Sequence, residues 1–358
     1  MKTAVKLLAG LAISALTLWL FLRNLDFGKV GASLAGASVP LLLLSIALGY
    51  FGHLSLRARR WATMLRPIKT PISFYNLFST TAIGYAVTCL APGRLGEVAR
   101  PVLLARRETM PVAGVLATAA IERVFDAVTV VALAALAAIT APLWWSDARG
   151  SLTVHVPLLG TTDLVRAIAW MGAVGLAGCV AGVWLLRALV LEDSRFLKWV
   201  DTRQLASSGR RATAWGILRR LADGAAFLRS PGLALRVGAE SVLIWTVIAL
   251  GAWIGLLAAR VRIPFPGSFL MVALSAAGIS VPTPGGAGTV HIAYQRGLID
   301  LFGIEPNLAS AATVLYHPIS AYIPPVVFGL IFAWRDGLRP GKLRKLAETG
   351  EITRVEPS

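Results

Sequence analysis

Acidic charge is scarce in this chain and charge of either sign is sparse: 18 Asp and Glu stand against 35 Lys and Arg in 358 residues, and charged residues make up only 15% of the whole. Soluble domains ordinarily carry about 25%. The shortage, with 56% hydrophobic residues and a mean hydropathy of +0.70, excludes a single water-soluble core and requires lipid as solvent. Cysteine is nearly missing too: Cys89 and Cys179 lie in apolar runs and have no metal-ligand or redox spacing. No nucleotide loop, metal-ligand cluster or nucleophile signature occurs in a supporting context, so neither cofactor nor metal is expected. The net charge of +17 would suggest nucleic acid in a soluble protein. Here the Lys and Arg residues gather in particular loops between apolar runs, which points to orientation in an anionic membrane, with no nucleic-acid partner.

What the chain has in abundance is apolar runs near the roughly 20 residues a bilayer requires. They lie at 5–22, 40–56, 111–141, 164–190, 237–259 and 308–334. The first follows Lys2, carries Lys6 at its start, has no small-residue cleavage site and reads as a retained anchor. Two further apolar regions, about 73–104 and 266–302, are interrupted at their middles by Pro92-Gly93-Arg94-Leu95-Gly96-Glu97 and Pro284-Gly285-Gly286-Ala287-Gly288-Thr289. Backbone that leaves the helix at membrane depth is tolerated only inside protein or beside a water-filled cavity, and paired broken segments point to a central substrate site. The expected fold is an all-α integral membrane protein with about six transmembrane helices and two opposed re-entrant hairpins, arranged as an inverted pseudo-repeat.

Counting cations supports the hairpins. If each enters and leaves on one side, the basic segments 57–69, 106–107, 195–229 and 335–345 share one face, and both termini are cytoplasmic. Residues 1–341 form the membrane domain and 342–358 a polar tail. The segment 192–230 mixes Phe196, Trp199, Trp215 and Phe227 with several arginines. It suits either a helix in the headgroup layer or a solvated basic loop that fixes topology.

The breaks also carry chemistry. Glycine permits the tight reversal, and the outgoing half-helix starts near Leu95 or Gly288 with free N–H groups, which favour anions. Arg94 and Arg100 flank Glu97, and the run that begins at Pro111 carries Glu122, Arg123 and Asp126. Glu122 and Asp126 share one helix face, and charges at such depth are costly unless paired. Arg94 or Arg100 is therefore expected to pair with Glu122 or Asp126, leaving one arginine for a lipid phosphate. An entirely structural ion-pair network is the alternative. His291 follows the second break, in reach of the same niche. His53 and Arg57 read as interfacial, and Glu240 as too near the start of its span to be buried. Pro318, Pro324 and Pro325 should kink the last span.

The ordered motifs Arg57-x-Arg59-Arg60-Trp61, Ala91-Pro92-Gly93-Arg94-Leu95-Gly96-Glu97 with Arg100, Glu122-Arg123-x-x-Asp126 and Pro282-Thr283-Pro284-Gly285-Gly286-x-Gly288 give the chain a family likeness. It resembles the flippase-like membrane domain of lysylphosphatidylglycerol synthases, the membrane part of the multiple peptide resistance factor. The resemblance implies transfer of lipids between leaflets of a bacterial cytoplasmic membrane, with Arg94, Glu97, Glu122, Arg123 and Asp126 at the family's charged positions. His291 stands where many relatives carry glutamate. The fused aminoacyl-transferase is absent from this chain, so lysylation of phosphatidylglycerol is not expected of it alone. The leading expectation is a translocase, not an enzyme, that moves a phosphate-bearing or glycosylated lipid. Its substrate site would comprise Arg94, Glu97, Arg100, Glu122, Arg123, Asp126, Gly285, Gly286, Gly288 and His291. A membrane transferase on a lipid-linked substrate, or a scaffold for a lipid-synthesising enzyme partner, are the alternatives.

Overall fold

A computed structural model describes residues 2–23, 25–90, 95–144, 153–156, 160–190, 216, 224–281 and 283–338. Arg94, most of the 192–230 segment and the 342–358 tail lie outside the described residues. The described residues are almost entirely helical. An antiparallel β-hairpin, β1 (Thr153–Val156) with β2 (Gly160–Asp163), is an addition to the expected all-α fold.

Helices α1 (Lys2–Leu22) and α2 (Phe27–Ala35) meet at an 85° bend. Asp26 makes the turn by capping α2, its carboxylate accepting from the amides of Gly28 and Lys29 at 3.0 and 3.1 Å. Then α3 (Val39–Ile46), a π-helical stretch (Ala47–Gly52) and α4 (His53–Leu65) form one continuous span. Helices α5 (Phe74–Leu90) and α6 (Gly96–Arg107) bracket the first break, followed by α7 (Val112–Ile139), the short α8 (Ala141–Trp144) and α9 (Leu164–Val190), which packs on α7. Helix α10 (Pro231–Ala258) is capped by Ser230. Helices α11 (Gly267–Ser280) and α12 (Thr289–Phe302) bracket the second break. A final span runs through α13 (Pro306–Val314), a second π-helical stretch (Leu315–Tyr322) around Pro318, and α14 (Ile323–Arg335).

Among the described residues three helical stretches are long and apolar enough to cross a bilayer, Val39–Leu65, Pro231–Ala258 and Pro306–Arg335, and the bent pair α1 and α2 makes a fourth if taken together. The expected six are therefore not all present in that form. Helix α7 has the length, with 28 residues, but Glu122, Arg123 and Asp126 interrupt its apolar surface. Helix α9 is 27 residues long and matches the expected run 164–190, with Gly172–Gly182 an apolar stretch within it.

Both broken regions fold as antiparallel helical hairpins. In the first, Arg107 reaches Ser79 at 2.8 Å near the base, and Gly96 sits so tightly on Gly84 and Thr88 that any Cβ there would collide. In the second, Gly267 lies on the Phe302 ring at the base and Gly278 on the Val290 backbone near the tip. The tip itself turns through Gly285, Gly286 and Gly288 at φ of 57°, 72° and 85°, the region open to glycine. The bases sit at opposite ends of the bundle. The Val39–Leu65 stretch runs antiparallel to α10: Ser38 donates to Ala258 O at 2.9 Å at one end, and Arg60 to Ser241 at 2.8 Å toward the other. The first base adjoins the Leu65 end through Lys69 and Glu108, 2.6 Å apart, and the second adjoins the Ala258 end through Ile263. The second tip meets the end of α5 between them: Tyr322 lies against Gly285 and donates its hydroxyl to Cys89 O at 3.0 Å.

Candidate functional site

The deepest polar feature is an ion cluster where α4, α6, α7 and α10 cross. Helical spacing puts Arg57, Arg60 and Trp61 of α4 on the face toward α7, while Arg59 points outward with 66% of its side chain exposed. On α7, Glu122 and Asp126 stand one turn apart and both are buried. Arg57 donates to Glu122 at 2.9 Å and to Asp126 at 2.7 Å. Arg60 reaches Asp126 at 2.8 Å and Glu122 at 3.1 Å and donates its other terminal nitrogen to Ser241. Arg100, on the outgoing helix of the first hairpin, grips Glu122 with both terminal nitrogens at 2.5 and 3.2 Å. Its guanidinium lies 3.9 Å above the Trp61 ring, and Trp61 is fixed in turn by its indole N–H on Thr118 at 3.1 Å. Arg123 closes the set at 3.0 Å from Glu122 and 3.5 Å from Asp126.

Four guanidiniums thus share two carboxylates, and with Glu97 on the adjoining cavity wall three carboxylates stand against four arginines, a local excess of one positive charge. Arg60 and Glu122 have fully buried side chains, while Arg123 is 39% exposed. It is exposed toward a cavity of about 240 Å³ between α5, α6 and α7, whose walls include Tyr85, Thr88, Glu97, Arg100, Leu116 and Arg123. A larger, open crevice of about 590 Å³ at the α1–α2 bend is lined by Trp19, Phe27 and other apolar groups, with Arg23 at its edge, and faces outward.

Glu97, Arg100, Glu122, Arg123 and Asp126 are brought together here. Gly285, Gly286, Gly288 and His291 gather at the other hairpin tip and contribute nothing to the cavity wall. There the Gly288 amide donates to His291 Nδ1 at 3.2 Å, and α1 covers Gly288 through Thr17 and Leu18. Ser14 of α1 donates to Ala287 O at 3.1 Å. Two readings need correction. Arg57 is not interfacial: it is 4% exposed, because α4 continues past the end of the apolar run and meets carboxylates there. Glu240 is buried as well, held by Arg236 at 3.0 Å and Thr63 at 3.4 Å, because α10 begins at Pro231. Arg57 and Arg60 were visible as a pair three residues apart on one helix face. Ser241 and Trp245, which donates to Asp126 at 3.3 Å, carried no sequence signal.

A family model described as the lysylphosphatidylglycerol synthase TM region matches residues 7–329. The chain belongs to that family. Among the chain's curated relatives is the glycosyltransferase AglD of Haloferax volcanii, 28% identical over 331 residues, which cover 88% of this chain and 52% of AglD. The chain therefore spans about half of AglD. Another is the UPF0104 membrane protein PH1989 of Pyrococcus horikoshii, 26% identical over 308 residues, which cover 82% of this chain and 87% of that protein. The family match runs over both hairpins and the ion cluster, so family membership and the cavity concern the same part of the molecule.

Proposed function

We propose that this protein is a lipid translocase of a bacterial cytoplasmic membrane, with both termini cytoplasmic, whose headgroup site is the cavity between α5, α6 and α7. The observation that carries the reading is the unbalanced cluster behind it: four arginines on two buried carboxylates, with Arg123 partly exposed to the cavity. An anionic phosphate entering there compensates the excess charge, and guanidinium meets phosphate bidentately. A cavity of about 240 Å³ holds a headgroup while the tails remain in lipid. The hairpins act as re-entrant elements from opposite faces, so a headgroup at their tips is reached from either leaflet. Arg94, at the first tip, and Gly285, Gly286, Gly288 and His291, at the second, complete the proposed path.

A second reading rests on the similarity to a named glycosyltransferase: the chain would present a lipid-linked substrate to a transferase, as its membrane part or beside a lipid-synthesising partner. The similarity leaves about half of AglD uncovered, so the activity in that name has no necessary place in the shared half. Reconstitution in vesicles with labelled phosphatidylglycerol and polyprenyl-phosphate-linked sugar separates the readings. Wild-type protein should accelerate leaflet exchange of at least one lipid, and Arg123→Ala or Arg94→Lys should lower the rate about tenfold with the fold intact. Exchange no faster than in protein-free vesicles across the panel would overturn the translocase, and binding of the lipid-linked sugar without exchange would favour the second reading.

A further inference from the structure

The second half of the bundle has its own polar centre at the place that corresponds to the ion cluster. In the first half, a residue four positions after Gly96, Arg100, meets Glu122 on the next helix. In the second, a residue three positions after Gly288, His291, meets His317 on the next span, their rings 4.8 Å apart and nearly perpendicular. Both are buried, at 7% and 4% exposure. Their hydrogen bonds fix their protonation. A backbone amide can only donate, so His291 Nδ1, which receives the Gly288 N–H at 3.2 Å, carries a lone pair. His317 Nε2 lies 3.1 Å from Gly285 O and must carry its proton there, so in the neutral ring Nδ1 is the lone-pair nitrogen, buried with no partner among the described residues.

We infer that His291 and His317 form a proton-binding site that locks the second hairpin tip, closed while both imidazoles are neutral and opened when either takes up a proton. Both imidazoles hold the glycine turn, one through Gly288 and the other through Gly285. A proton on His291 Nδ1 replaces the lone pair that receives the Gly288 amide and breaks that bond. A proton on His317 Nδ1 places a cation in a buried site without a counter-ion. The surroundings offer none. From α1 the pair meets Phe21, 5.1 Å from the His291 ring, with Ser14 and Thr17 on the tip. From the last span it meets Tyr322, 6.1 Å from His317, and α5 presents Cys89, whose carbonyl Tyr322 holds. On α12 itself Arg296 and Asp300 pair with each other at 3.3 Å on an exposed face. No carboxylate among the described residues contacts either ring, so an added proton is accommodated only where the tip has opened to water.

The inference stands apart from lipid transfer, because accessibility rather than transport reads it. In full-length protein in vesicles, with Cys89→Ala and Cys179→Ala, a cysteine placed by Ala287→Cys is labelled with a charged methanethiosulfonate between pH 8 and 5.5. Its rate is divided by that of Gly31→Cys, an exposed position with open space around it, to cancel thiol ionisation. The ratio should rise as pH falls, by up to about tenfold per pH unit, the limit for uptake of one proton. His291→Asn, which still accepts from Gly288 and cannot be protonated, should flatten it, as should His317→Gln. A pH-independent ratio in the protein with both histidines, or an unchanged slope in whichever variant folds, would overturn the inference.

Discussion

Each half of this bundle sets a helical hairpin between longer helices, the two hairpin bases lie at opposite ends, and the halves furnish this plan with different chemistry. The first half buries permanent charge: Arg57, Arg60 and Arg100 on Glu122 and Asp126. The second buries neutral rings, His291 against His317 and Tyr294 stacked on Tyr316 at 4.1 Å. The hairpin bases differ in the same sense. Glu108 holds the first by accepting from Lys69, from the Ser73 amide and from Asn76. Apolar contact of Gly267 and Ile263 with Phe302 closes the second. A polar anchor demands that every partner be present, whereas an apolar one tolerates loss in proportion to the area removed.

That contrast predicts unequal responses. Glu122→Ala leaves three guanidiniums on Asp126 and takes from Arg100 its carboxylate, and should cost about 3–5 kcal/mol, seen as lost yield and a lowered Tm in detergent. His317→Ala in the other half should cost less, and equal losses would contradict the contrast. Next in size, Gly96→Ala forces a methyl into Gly84 O and should cost about 1–3 kcal/mol by prying the first hairpin apart, while Gly238→Ala, which meets open space, should be neutral or slightly stabilising. Unfolding midpoints of the two variants decide it. The smallest effect concerns acid. Burial raises the Glu108 pKa, but the hydrogen bonds from Lys69, Asn76 and Ser73 outweigh it and hold the carboxyl below its ordinary value. A depressed carboxylate contributes stability that is complete above its unfolded value, about 4.3, and is lost as pH falls through the folded one. Acidification below about pH 4 should therefore loosen the first base, seen as faster proteolysis near Thr109, and Glu108→Gln should remove that pH dependence.

Much of this architecture was legible because lipid imposes a simple rule: long apolar runs are helices, and Pro-Gly interruptions inside them are turns. The stretches 40–56, 237–259 and 308–334 gave their helices, and the two breaks gave both hairpins. The Arg100–Glu122 pairing was legible as one of several choices, because unpaired charge is so costly at depth. The ends of the spans misled: Arg57 and Glu240 were judged by where apolar runs stop, while the helices continue wherever a partner is waiting. Arg57 finds Glu122 at a separation of 65 residues, and Trp245 finds Asp126 at 119, which no local pattern encodes.

The crossing of α4 and α7 has a consequence for how the protein is made. Arg57 and Arg60 leave the ribosome long before Glu122 and Asp126 exist, and an arginine without a partner is costly to bury. The order of synthesis therefore makes the arginines of α4 wait for a helix some 65 residues later before they gain the carboxylates that neutralise them.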